Sequence, residues 1–187
     1  AAGKVSALAA TCCHVGADLA RGTVVGEVLQ CPLHHWRYGV DGACVHIPGG
    51  MAIPARARQH ALPCTEAYGL IFGFVGGIPT YELPRFVDEI DPVWSRAVVV
   101  DAAAPYATLV ANSYDGQHFA AVHDRELLEP PQITRASIYH IAIHYRANVV
   151  GERISDRVMR ALGIDRVGVT IHCWGGSVLQ VYNERTA

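Results

Sequence analysis

Two short segments constrain this chain more than anything else in it. Cys12-Cys13-His14 sets a thiol and an imidazole two positions apart, and Cys31-Pro32-Leu33-His34 sets the same pair three apart, with sixteen residues between His14 and Cys31. Each loop thus offers one soft thiolate and one imidazole. Two such loops brought together would close a four-coordinate zinc site. They would equally hold a binuclear iron–sulfur cluster, with the thiolates on one iron and the imidazoles on the other. Zinc fingers group like ligands, cysteines first and histidines after. Here each loop is mixed, which puts one cysteine and one histidine at each end of the site.

The rest of the composition narrows the field. With 187 residues the chain is one ordinary domain or two small ones. Its 51% hydrophobic and 17% charged residues exclude a solvated disordered chain. A formal net charge of -2, with no basic stripe, speaks against nucleic acid as a partner. No apolar run reaches the roughly 18 to 20 residues of a membrane span, and the opening AAGKVSALAATCC does not read as a signal peptide. The six cysteines include Cys44, Cys64 and Cys173, which carry no motif and are expected as reduced core residues. Cys13 is expected as a small buried side chain.

Along the chain, residues 1–50 are turn-rich, and Asp41-Gly42 between short alternating runs predicts a hairpin. Residues 68–75, YGLIFGFV, read as a strand. Gly and Pro then break regular structure, which places a domain boundary at roughly 80–95, with domains at 1–90 and 91–187. Beyond it the pattern turns to α+β. Strands are expected at 97–101, 137–145, 167–173 and 177–182, a helix at 107–128, and a short helix at 155–162 with Ser155 as N-cap and Gly163 past its end.

The predicted helix at 107–128 carries Asn112, Asp115, His118 and His123, in the pattern N-x-x-D-x-x-H-x4-H. Asp115 and His118 are i, i+3 neighbours. His118 and His123 are i, i+5, badly placed on an ideal helix at about 100° per residue, so a π-type turn helped by Gly116 is expected. Two imidazoles suit ferrous iron, and with one carboxylate they make a facial triad open to dioxygen and substrate. His46, His60, His140, His144 and His172 read as core or surface residues, though His140 and His144 share one strand face.

C-C-H-V-G-A-D-L, then C-P-L-H-H-W-R-Y with D-G-A-C after it, resembles the Rieske domain of the Rieske non-haem iron oxygenases over about residues 3–75. D-x-x-H-x4-H resembles their catalytic motif. Ala17 and Leu33 stand where respiratory Rieske proteins carry a disulfide pair, so the resemblance is to the oxygenase and ferredoxin types. It implies an α+β architecture: an N-terminal all-β Rieske domain without its usual first strands, then part of an α+β catalytic domain with an antiparallel sheet and helices. It implies a [2Fe–2S] cluster on Cys12, His14, Cys31 and His34, shielded by Trp36, and mononuclear Fe(II) on His118 and His123.

The resemblance also places Asp115 as a non-ligating bridge toward a neighbouring subunit's cluster, in a homotrimer. The family's third iron ligand, a carboxylate, lies well over a hundred residues past the second histidine. Only 64 residues follow His123, and neither Asp156 nor Asp165 is assigned that role, so the chain is expected to be part of a longer protein. The implied activity is that of a terminal oxygenase, monooxygenase or dioxygenase, in the cytoplasm. It would use O2 and electrons from NAD(P)H, through a flavin reductase and/or a ferredoxin, to hydroxylate or oxidatively demethylate an aromatic or alicyclic compound. The alternative is a Rieske-type ferredoxin with a non-catalytic second domain; a structural zinc module is a weaker rival.

Overall fold

The computed structural model describes residues 5–86 and 95–186. They fall into two compact units, one holding 5–80 and 95–96, the other 81–86 and 97–186. The expected boundary between residues 90 and 91 lies outside the described residues.

The first unit is built from short antiparallel pairs. Strands β2 (Thr23–Val25), β3 (Val28–Gln30), β4 (Arg37–Tyr38) and β5 (Cys44–His46) form a four-stranded sheet in sequence order. The β4–β5 turn is the expected Asp41-Gly42 hairpin. The Asp41 carboxylate accepts from the Ala43 N–H at 3.1 Å, and Gly42 sits at φ +84°, where a Cβ would run into the carbonyl of Gln59. One short strand, β1 (Ala7–Leu8), does precede the first cysteine–histidine loop and pairs with β6 (Ala61–Leu62). The strand expected at 68–75 is shorter, because Tyr68 and Gly69 have positive φ and make the turn between β7 (Cys64–Ala67) and β8 (Leu70–Gly73). The small core gathers Leu19, Tyr38, Cys44, Ile47 and Ala57 around the buried Cys12 and Cys31.

The second unit is an antiparallel sheet carrying helices. β11 (His140–Val149) is its centre, paired along its length with β12 (Arg166–Trp174), which pairs with β13 (Val178–Thr186). On its other side β11 is shared by β9 (Arg125–Leu127) and β10 (Gln132–Arg135). Burial alternates along β11: Ile143, Tyr145, Ala147 and Val149 are buried on one face. Ile143 and Tyr145 form a core with Val169 and Ile171 of β12, and Tyr114 and Phe119 pack onto it.

Several expectations are corrected here. The helix expected at 107–128 is two helices and a strand: α1 (Tyr106–Asn112), α2 (Gly116–His123) and then β9. The Asp115 carboxylate accepts from the Gln117 N–H at 2.8 Å, so Asp115 is the N-cap of α2 and not a residue on its face. Asp124, at φ 52° and ψ 49°, turns the chain off α2 into β9. The helix is α-helical throughout, without a π-type turn. Gly116 does not bend it; a Cβ there would stand 3.2 Å from Leu127.

No strand forms at 97–101. Val98, Val99 and Val100 are 82%, 88% and 79% exposed and pair with nothing among the described residues, since propensity without a partner makes no ladder. The third helix is α3 (Ile154–Ala161), whose N-cap is Arg153 with no side-chain cap; Ser155 lies inside its first turn. Asp156 beside it is 2% exposed and bonds Arg125 at 2.9 Å. That ion pair ties α3 to β9 and uses Asp156 structurally.

Breaking a buried pair leaves an uncompensated charge, at a cost of about 3–5 kcal/mol. Asp156→Ala is therefore expected to destabilise the second unit on that scale, measured by denaturant unfolding followed by circular dichroism. A loss under ~1 kcal/mol would show that the pair contributes no more than a solvated one.

Candidate metal centres

The two cysteine–histidine loops share one backbone design. In the first, the Cys12 N–H donates to the Ala17 carbonyl at 2.8 Å, and the Gly16 N–H returns to the Cys12 carbonyl at 2.9 Å. In the second, the Cys31 N–H donates to the Trp36 carbonyl at 2.8 Å, and the His35 N–H returns to the Cys31 carbonyl at 3.2 Å. The residue four past each cysteine has positive φ, +80° at Gly16 and +56° at His35. Each turn therefore sinks its thiol into the core and leaves its imidazole at the surface. Cys12 and Cys31 are each 2% exposed, whereas His14 and His34 are exposed, with ring centroids 4.9 Å apart.

The thiols stand among donors. Tyr38 Oη lies 3.1 Å from Cys12 Sγ. Burial pushes the Cys31 thiol up, yet hydrogen bonds from the backbone of Leu33 and His34, joined by Cys12, hold it below the ordinary thiol range. Thiolate is the metal-ligating form, so this environment suits a metal-bound sulfur. Cys44 shares the core, and there burial outweighs the backbone hydrogen bonds of His46 and Arg37 and pushes its thiol up.

Gln59 secures the first loop. Its buried amide accepts from the Cys13 N–H at 2.9 Å and donates to the carbonyls of Ala9 and Thr11 at 2.6 and 2.7 Å. Trp36 stacks on His14, centroids 4.1 Å apart and planes 10° off parallel, which covers one face of the imidazole. Cys13 departs from expectation: it is exposed, although its Sγ lies 3.5 Å from Tyr38 Oη.

Among the described residues, no three His, Cys, Asp or Glu side chains converge on a position for one metal ion. A tetrahedral zinc asks all four donors to meet at a single point. Two buried thiols and two exposed imidazoles, arranged as pairs, fit a binuclear cluster that takes two protein donors per iron.

The second unit brings His118 and His123 together at ring centroids 5.0 Å apart, without helix distortion, because His123 ends α2. Asn112, at the end of α1, places its Nδ2 3.1 Å from His118 Nε2. No carboxylate joins the pair among the described residues, so the donor set is two imidazoles. The pair fits two positions of a facial triad. Asp115 lines an open hollow of about 740 Å³, together with Tyr114, Gln117, Leu127, Ile133 and Ile143. His140 and His172 bond each other at 2.8 Å, and His144 bonds Thr170 at 2.8 Å; His46 and His60 are exposed.

Residues 1–63 match the family model of the Rieske [2Fe-2S] domain. Aminopyrrolnitrin oxygenase PrnD of Pseudomonas fluorescens is 35% identical over 135 residues, covering 66% of this chain and 37% of that protein. The oxygenase component of a 3-ketosteroid-9-alpha-monooxygenase from Rhodococcus rhodochrous is 30% identical over 174 residues, covering 89% and 42%. The chain thus spans less than half the length of these relatives. The crystal structure of dicamba monooxygenase superposes with a TM-score of 0.69 at 24% identity, over 97% of this chain and 54% of that one, and so shares the fold. The chain belongs to the Rieske non-haem iron oxygenases.

For a Rieske oxygenase the donors around the sulfurs matter as much as the ligands, and these are what the sequence did not reveal. Tyr38 reaches Cys12 across 26 positions and Gln59 reaches Cys13 across 46, so neither leaves a local pattern. Hydrogen bonds to cluster sulfurs favour the reduced, more negative state. Tyr38→Phe is expected to keep the cluster and lower its reduction potential, read by redox titration of the visible spectrum. An unchanged potential would show that Tyr38 Oη does not donate to Cys12 Sγ in the loaded protein.

Proposed function

We propose that this chain belongs to a terminal oxygenase that uses O2 and electrons from NAD(P)H, delivered by a flavin reductase and/or a ferredoxin, to hydroxylate or oxidatively demethylate an organic substrate. The substrate class is aromatic or alicyclic compounds. Relatives named for aminopyrrolnitrin and 3-ketosteroid support an organic substrate. The cytoplasm, where NAD(P)H is generated, is its place of action. The observation that carries the reading is the coexistence, in one chain, of two matched cysteine–histidine turns and a His118/His123 pair flanked by Asn112. A ferredoxin would need only the first.

In this reading Cys12, His14, Cys31 and His34 hold the [2Fe–2S] cluster, and His118 and His123 supply two ligands to ferrous iron. When bound, the cluster supplies single electrons and the ferrous ion supplies the centre at which dioxygen meets substrate. The protein's part is to keep the sulfurs dry, to leave His14 and His34 at the surface for a partner, and to orient the second imidazole pair. Trp36 excludes water from one face of His14. Asp115 accepts from Gln117 N–H with one oxygen, and the hollow beside it is open. A carboxylate accepts from two imidazole N–H groups at once, and its charge strengthens both bonds. It suits a bridge between an iron-ligating histidine of its own chain and a cluster-ligating histidine of a neighbour, in a homotrimer.

Two irons and two acid-labile sulfides are expected at the first site of the purified protein, and Cys31→Ser should abolish them. Zinc without labile sulfide would overturn the reading. His118→Ala or His123→Ala should remove product formation while leaving the cluster's spectrum intact; full turnover in both variants would place the second site elsewhere.

Asp115→Ala is expected to keep both metals and to stop cluster oxidation in a single turnover with substrate and O2. Cluster oxidation at the wild-type rate, with stability lower by about 1 kcal/mol, would reduce Asp115 to a helix cap.

A further inference from the structure

The N-x-x-D-x-x-H-x4-H motif is carried by two separate pieces, the end of α1 with Asn112 and the helix α2 with both imidazoles. They are joined by Ser113, Tyr114 and Asp115. An eight-residue helix on a sheet surface does not hold its own position; helices this short depend on packing for stability. One side chain touches both the junction and α2. Tyr145 stands in the middle of β11, 1% exposed, facing Val169 across the ladder. Its Oη donates to the Ser113 carbonyl at 3.1 Å, at the junction itself. Its ring stacks on Phe119 with centroids 4.8 Å apart and planes 12° off parallel. Phe119 follows His118 directly and packs against His123 at 5.9 Å.

From these contacts we infer that Tyr145 is a positioning residue for the mononuclear iron site, fixing the distance between Asn112 and the His118/His123 pair. The inference rests on reading those imidazoles as iron ligands. The hydroxyl holds the junction and so sets where α1 ends; the ring holds α2 and so sets its height over the sheet. The Asn112 Nδ2 to His118 Nε2 contact of 3.1 Å spans these two pieces, and its length depends on both anchors. Burial, and then the charge of Asp115, push the Tyr145 hydroxyl up, so it stays protonated and remains a donor at any pH where the protein works. β11 is the right place for such an anchor. Ladder pairing on both sides fixes its register, and with that the face to which Tyr145 points.

The test uses the full-length protein with its cluster in place and Co(II) as the probe for the second site, titrated by its visible absorption. Tyr145→Phe keeps the ring and removes only the donor. Residues that orient metal ligands change metal affinity by about 10- to 100-fold. The expected result is a Co(II) affinity lower by about tenfold or more, with the cluster spectrum unchanged. Phe119→Leu removes the stack from the helix side and should weaken Co(II) binding to a similar extent; it also serves if Tyr145→Phe fails to fold. A purely structural Tyr145 would lower the melting temperature and leave the affinity, measured well below melting, at the wild-type value. Wild-type affinity in Tyr145→Phe and Phe119→Leu, with binding lost in His118→Ala, overturns the positioning role alone. Wild-type binding in His118→Ala overturns the iron assignment on which it rests.

Discussion

Two buried sulfurs set the terms for the whole first unit. A thiol in an apolar core is disfavoured as the anion, and metal binding requires the anion. The unit meets this conflict by surrounding the sulfurs with donors: backbone N–H groups of Leu33 and His34 at Cys31, and Tyr38 Oη at Cys12. The backbone donors at Cys31 exist because its loop folds back on its own cysteine through a reciprocal pair of backbone hydrogen bonds. The strands on either side are two or three residues long. A bound cluster would add its binding energy to folding, as metals do in other small domains.

The positive φ at His35 belongs to the same design. A non-glycine residue in that region costs of order 1 kcal/mol, and the first loop places Gly16 at the matching position. The strain in the second loop is over-determined by the Cys31 to Trp36 and His35 to Cys31 backbone bonds. The turn that results delivers Trp36 onto the ring of His14. The second loop therefore shields the first loop's imidazole, and the two loops form one site although each is locally complete.

What was legible in the sequence follows from how local each signal is. The two cysteine–histidine turns, the Asp41-Gly42 hairpin and the alternation of β11 are written over a few adjacent residues, and the backbone follows them. The helix expected at 107–128 failed because an apolar run does not show where a carboxylate will compete with the helix for backbone N–H groups. Asp115 does so at Gln117, and the chain restarts there. The run Val98–Val100 failed for the opposite reason: strand propensity was present and, among the described residues, a partner strand was not. Tyr38, Gln59 and Tyr145 were invisible because each acts on a residue 25 or more positions away. The i, i+5 spacing of the histidines suggested a distorted helix. The simpler solution puts His123 in the last turn, where the chain leaves the helix through Asp124.

The two candidate centres thus differ in what holds them. The cysteine–histidine loops carry their turn geometry in their own backbones, with Gln59 bracing the first from outside. The His118/His123 pair has no such closure. Its helix is held by a cap at Asp115, by the stack of Phe119 on Tyr145, and by α3 through the Arg153 to Val122 bond at 3.0 Å. A site of this kind is adjustable. The strand face beneath α2 can be rebuilt while the imidazoles stay, because the two are on different elements. Ile133 and Ile143 line the hollow beside α2 from β10 and β11, opposite Asp115 and Gln117 at the start of the helix. Substitutions on those two strands change that wall without touching an imidazole. Changes at Tyr145, on the same strand, move the imidazoles as well.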